Sequence, residues 1–74
     1  MKAAVIGAGR MGRRHVQVVQ ELGLDVLGVA DANPEALKQA SEERGLSSGQ
    51  LFTDAKKLLA AGPECVVMGP SHFN

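Results

Sequence analysis

Four short apolar runs alternate with stretches of helical spacing, and this alternation constrains the chain more than any other feature. "KAAVI" (2–6) ends at a glycine, and its length and its Val and Ile suit a buried strand. From Arg10 to Leu22 the apolar residues Met11, Val18, Val19 and Leu22 recur at helical spacing, and Gly23 follows as a stop. The spacing predicts an amphipathic helix of about three turns with those four residues on its buried stripe. "LDVLGVAD" (24–31) returns to strand character through Val26, Leu27, Val29 and Ala30, and ends on an acid. "ANPEALKQASEERG" then carries Asn33 as N-cap, Pro34 at the first helical position, Glu35 near the positive end of the dipole and Gly45 past the last turn. Leu37, Ala40 and Arg44 share one face of that helix. "LSSGQ" reads as a loop and "LFT" as a short third strand. Thr53 or Asp54 caps a helix through Leu58, Leu59 and Ala60 that stops at Gly62-Pro63, and "CVVM" (65–68) is the fourth strand. Every connection contains a helix long enough to cross over, so the four strands are expected to be parallel with right-handed crossovers.

A chain of 74 residues supports one small core, burying roughly 60% of its surface on folding. It is 45% hydrophobic and 22% charged, with eight basic and eight acidic side chains cancelling. That balance is the composition of a soluble domain and argues against a nucleic-acid partner. No apolar run approaches bilayer length, and the residues before the first glycine are too few for a signal-peptide core, so no membrane association is expected. Cys65, the single cysteine, reads as a small buried hydrophobe in a reducing compartment, which places the protein in the cytoplasm. Two histidines and one cysteine, far apart in sequence, match no metal-ligand spacing.

The turn after the first strand, Gly7-Ala8-Gly9-Arg10-Met11-Gly12, fits G-x-G-x-x-G. Alone that pattern is weak, but here it follows a strand and opens a helix, and Asp31 lies nineteen residues beyond Gly12 at the end of the second strand. This is the spacing of a dinucleotide fingerprint. Gly7 allows the tight turn, Gly9 leaves room for a pyrophosphate against bare backbone, and Gly12 lets the helix lie close on the sheet. Free N–H groups at the helix start face the anion, so all six residues from Gly7 to Gly12 are expected to line the cofactor. Asp31 accepts hydrogen bonds from the adenosine ribose hydroxyls in this reading and repels a 2′-phosphate, favouring NAD over NADP. The alternative is that Asp31 only caps the loop before Asn33-Pro34. The expected architecture is therefore α/β: a Rossmann-like parallel sheet of order 3-2-1-4 with helices on both faces, the first half of a dinucleotide-binding fold, with its crevice between strands 1 and 4.

Three arginines stand at the start of the first helix, where a cation is disfavoured by roughly 0.3 to 1 kcal/mol unless an anion is near. Arg10, inside the fingerprint, is expected to touch the ligand, whereas Arg13 and Arg14 are expected to point to solvent. His15, four residues after Met11, is expected to be a packed histidine hydrogen-bonded to a nearby loop rather than a catalytic one.

With these residues in place, the sequence resembles the N-terminal domain of the Gfo/Idh/MocA family of nicotinamide-dependent oxidoreductases. The resemblance rests on "VIGAGRMGRRH", "GVADANPEAL", "FTDAKKLLA" and "CVVMGPSH", and spans nearly the whole chain. It implies hydride transfer between a nicotinamide cofactor and a sugar, inositol or similar polyol. It also implies a turn after the fourth strand that lines the nicotinamide side, which places Gly69, Pro70 and His72 among the cofactor contacts. Where the family often carries a histidine about four positions after that proline, this chain offers Asn74. The family's Glu-Lys-Pro segment with its catalytic lysine, and its substrate domain, have no counterpart in residues 1–74. Ser71, His72 and Asp31 form no nucleophile-elbow pattern, so no catalytic residue is assigned. Two functions follow: the truncated NAD-binding portion of such an oxidoreductase, inactive by itself, or a free-standing, non-catalytic nucleotide-binding module completed by self-association or a partner. An unpaired edge on the fourth strand favours homo-oligomers in the second case.

Overall fold

The computed structural model of the chain describes residues 1–68; Gly69, Pro70 and His72 lie outside the described residues. Four strands, β1 (Lys2–Ile6), β2 (Asp25–Ala30), β3 (Leu51–Phe52) and β4 (Cys65–Met68), form one sheet in the order β3-β2-β1-β4. All three pairings are parallel, as crossover connections require. Helices α1 (Arg10–Glu21), α2 (Pro34–Arg44) and α3 (Ala55–Ala60) supply those crossovers.

The two faces of the sheet follow from the two-residue period of β1. Ala3 and Val5 point to one side, where Val16 and Val19 of α1 and Leu37 and Ala40 of α2 complete the larger core. Ala4 points to the other side, where Ala30 and Leu58 of α3 complete a smaller one. Helices thus lie on both faces, with α1 and α2 on one and α3 on the other. Among the described residues no helix is long and apolar enough to cross a membrane.

The caps match the sequence signals. The Asn33 side chain accepts from the Glu35 amide at 3.0 Å, and Gly45 closes α2 in the left-handed region at φ 68°. Asp54, rather than Thr53, caps α3 by accepting from the Lys56 amide at 2.9 Å.

Two expectations are corrected, and one strand carries an irregularity that spacing does not announce. The buried stripe of α1 is Gly12, Val16 and Val19, whereas Met11, Val18 and Leu22 are 47%, 39% and 68% exposed. Helical spacing alone left the phase open, and the close approach of Gly12 to the sheet sets it. Residues 48–50, expected to be loop, form a 3-10 turn closed by the Gln50 side chain, whose Oε1 accepts from the Ser47 amide at 2.9 Å. Gln50 also donates to the Val26 carbonyl at 2.7 Å, tying this turn to β2. Finally, β2 is irregular: its register against β1 shifts between Ala3 and Ala4, leaving Leu27 as an extra residue. A Cβ on Gly28 would sit 2.6 Å from Phe52 and 2.8 Å from Leu58, so glycine at this bulge is what admits both side chains.

Candidate functional site

The glycine turn joins β1 to α1 at the carboxyl edge of the sheet. Gly7 adopts φ 104°, a conformation that L side chains rarely reach, and donates to the Ala30 carbonyl at 2.6 Å. Gly12 packs against the same residue: a Cβ there would lie 2.5 Å from the Gly7 carbonyl carbon and closer still to its oxygen. Gly9 is different, because a Cβ there would meet nothing within 4 Å. The backbone over Gly9 is open to an incoming group, and Gly9 is exposed.

Gly9 is also the N-cap of α1 and brings no side-chain cap. The first helical bond runs from the Arg13 amide to the Gly9 carbonyl at 2.8 Å, so the amides of Arg10, Met11 and Gly12 have no intrahelical acceptor. No acidic side chain stands in that first turn. A helix start with free amides, an open approach and no carboxylate of its own favours an anion from outside the helix.

Asp31, just past β2, faces this turn. Its Oδ2 accepts from the Ala8 amide at 2.9 Å and its Oδ1 accepts from the Asn33 amide at 2.8 Å. The loop-capping role therefore exists, and a tie to the glycine turn exists beside it. An ionised carboxylate offers about four lone pairs, and these two bonds leave capacity for hydroxyl donors. The Asp31 amide in turn donates to the Phe52 carbonyl at 3.0 Å, which aligns the ends of β2 and β3.

Two grooves flank the turn, and they differ in charge. One, of about 310 Å³, lies over the ends of the strands, with Ile6, Gly7 and Ala30 below and Asp31 and Asp54 as its ionisable groups among the described residues. The other, of about 360 Å³, lies between α1 and α2 and gathers Arg10, Arg13, Arg14 and Arg44 around Glu43.

Arg14 is exposed as expected, but Arg13 is not a solvent-facing bystander. Its side chain is 21% exposed, and its Nε pairs with Glu43 at 3.1 Å. One terminal nitrogen donates to Gln39 at 3.3 Å and reaches the Ala8 carbonyl at 3.5 Å. Arg13 therefore joins α2 to the glycine turn. The phase error in α1 hid this: with Val16 and Val19 buried, Arg13 falls beside the core-facing side.

His15 is half-buried, and the loop hydrogen bond expected of its ring does not form among the described residues. Thr53, at the end of the expected third strand, and Asp54, its alternative as helix cap, both line the strand-end groove. Their position at the carboxyl end of a parallel strand was the available signal.

A parallel 3-2-1-4 sheet with a glycine turn after β1 and an acid beyond β2 defines a Rossmann domain of the dinucleotide-binding class. The chain belongs to the GFO_IDH_MocA family, an oxidoreductase family with an NAD-binding Rossmann fold, whose family model matches residues 1–73. Solved structures agree on the fold. An oxidoreductase from Agrobacterium radiobacter, in complex with NAD+, L-tartaric acid and magnesium, is 23% identical with a TM-score of 0.80, over 96% of this chain and 21% of that one. The WlbA dehydrogenase from Bordetella pertussis, in complex with NADH and UDP-GlcNAcA, is 25% identical with a TM-score of 0.75, over 93% and 21%. A probable dehydrogenase from Thermotoga maritima is 20% identical with a TM-score of 0.78, over 96% and 21%. The chain thus spans about a fifth of the length of these proteins. A search of curated proteins returned no match.

Proposed function

We propose that residues 1–74 are the NAD-holding portion of an oxidoreductase that moves a hydride between the cofactor and a sugar, inositol or similar polyol. The observation that carries the cofactor part is the Asp31 carboxylate, held 2.9 Å from the Ala8 amide beside an uncapped helix start. The pyrophosphate takes the free amides of Arg10, Met11 and Gly12 over the open Gly9 backbone, with the exposed Arg10 side chain closing on it. Asp31 accepts from the adenosine ribose hydroxyls and disfavours a 2′-phosphate at the same place. Bound NAD supplies the hydride acceptor. The chain's own residues bind and orient it, and none is assigned to proton transfer. Gly69, Pro70 and His72 are proposed for the nicotinamide side. For the substrate class, support comes from the sugar nucleotide bound to the Bordetella dehydrogenase.

Calorimetric titration of the 74-residue chain with NAD and NADP tests the reading. NAD is expected to bind about tenfold or more tightly than NADP, the scale of one charge-bearing contact. Equal affinities remove the role given to Asp31, and no heat with either removes the cofactor assignment. Incubation of the chain with NAD and a panel of polyols is expected to give no NADH; turnover contradicts a holding role.

A further inference from the structure

The strand-end groove continues past Asp31 to the end of β3, and none of the roles above uses that part. Ile6, Ala30, Ala32 and Ala55 give it apolar walls, and Thr53 and Asp54 give it a polar edge. We propose that Asp54 recognises the 6-amino group of the adenine ring, making this chain selective for 6-amino over 6-oxo purine dinucleotides. The proposal rests on the NAD reading, since it needs the ribose at Asp31 to bring the base into the groove.

The chemistry follows from how Asp54 is held. Its Oδ1 is committed to the Lys56 amide at 2.9 Å as the cap of α3. This bond holds the carboxylate at the groove edge and leaves Oδ2 without a hydrogen bond among the described residues. An ionised carboxylate accepts and cannot donate. It therefore rewards an N–H at position 6, as the 6-amino group presents, and opposes the lone pairs that a 6-oxo purine places there, whose nearest N–H lies one ring atom away at N1. The apolar walls suit a flat ring and supply no competing donor. Asp31 is the other ionisable group lining the groove among the described residues, and its remaining acceptor capacity is given to the ribose hydroxyls, which leaves Asp54 as the acceptor beyond the ribose.

The test compares NAD with nicotinamide hypoxanthine dinucleotide, which carries oxygen at the 6-position, by calorimetry on the 74-residue chain. The native chain is expected to prefer NAD about fivefold, the worth of one net hydrogen bond at an exposed site. In Asp54→Asn the cap still needs the amide oxygen on Lys56, so the NH2 group takes the place of Oδ2 and an acceptor becomes a donor. Asn remains a good N-cap, so the fold is retained. The preference is expected to vanish or reverse in this variant. Asp54→Ser keeps a capping oxygen but nothing in place of Oδ2, and is expected to bind both dinucleotides alike. A native chain that binds both dinucleotides equally, or an Asp54→Asn chain that keeps the native preference, overturns the proposal while leaving NAD binding intact. If the native chain binds neither, the NAD reading fails and this proposal fails with it.

Discussion

Replacing Gly12 by alanine separates two forces of opposite sign. Intrinsic helix propensity favours alanine by about 1 kcal/mol, because a helical glycine loses more backbone entropy on folding. Packing opposes it: the new Cβ would lie 2.5 Å from the Gly7 carbonyl carbon and nearer still to its oxygen, and both are backbone atoms. Neither can rotate aside, and Gly7 is itself fixed at φ 104° with its amide bonded to Ala30. Helix α1 must move off the sheet, loosening Val16 and Val19, which are 0% and 3% exposed. Overpacking of this kind costs about 3 kcal/mol, so the net loss is about 2 kcal/mol. In a domain of this size each kcal/mol is worth roughly 4–8 °C in midpoint, so thermal unfolding followed by circular dichroism should fall by about 8–16 °C. Gly9→Ala is the control, since its Cβ meets nothing within 4 Å and its φ of −72° suits any residue. It should unfold within about 1 kcal/mol of the native chain yet lose affinity for NAD, because the methyl occupies the space given to the pyrophosphate. A Gly12→Ala chain as stable as the native one refutes the close-approach argument. A Gly9→Ala chain that binds NAD normally refutes the pyrophosphate seat.

Gly28→Ala should destabilise the chain by about 1–3 kcal/mol by pressing on Phe52 and Leu58; chemical denaturation with an unchanged midpoint contradicts the bulge account. Asp31→Ala removes the acceptor of both the Ala8 and Asn33 amides and should weaken NAD binding about tenfold or more while narrowing the gap to NADP, as read in a calorimetric titration of both. Arg10→Glu should weaken NAD binding more than Arg14→Glu does, and equal effects remove the special place of Arg10.

How much of this could be read from residues alone depended on whether the signal was local. The caps of α2 and α3 and the four strands follow from short-range chemistry, and Asn33, Gly45 and "CVVM" announced them. The phase of α1 did not, because Met11, Val18 and Leu22 look as apolar as Val16 and Val19, and only the contact between Gly12 and Gly7 decides which side turns inward. Arg13 was misplaced for the same reason, since its partners Glu43 and Gln39 are some thirty residues away and depend on how α1 meets α2. The bulge at Leu27–Gly28 needed the pairing register with β1 to be seen. In the site, the glycine turn and Asp31 were legible because spacing encodes them. Asp54 entered the groove through the sheet order, which brings the ends of β2 and β3 together.

The central claim is that these residues grip the ADP part of the dinucleotide. Calorimetric titration of the 74-residue chain with ADP-ribose beside NAD tests it directly. The account predicts that ADP-ribose binds within about threefold of NAD, because the amides of α1, Asp31 and the strand-end groove all act on that half. NAD binding with ADP-ribose failing to bind would contradict it, since the grip would then lie on the nicotinamide side.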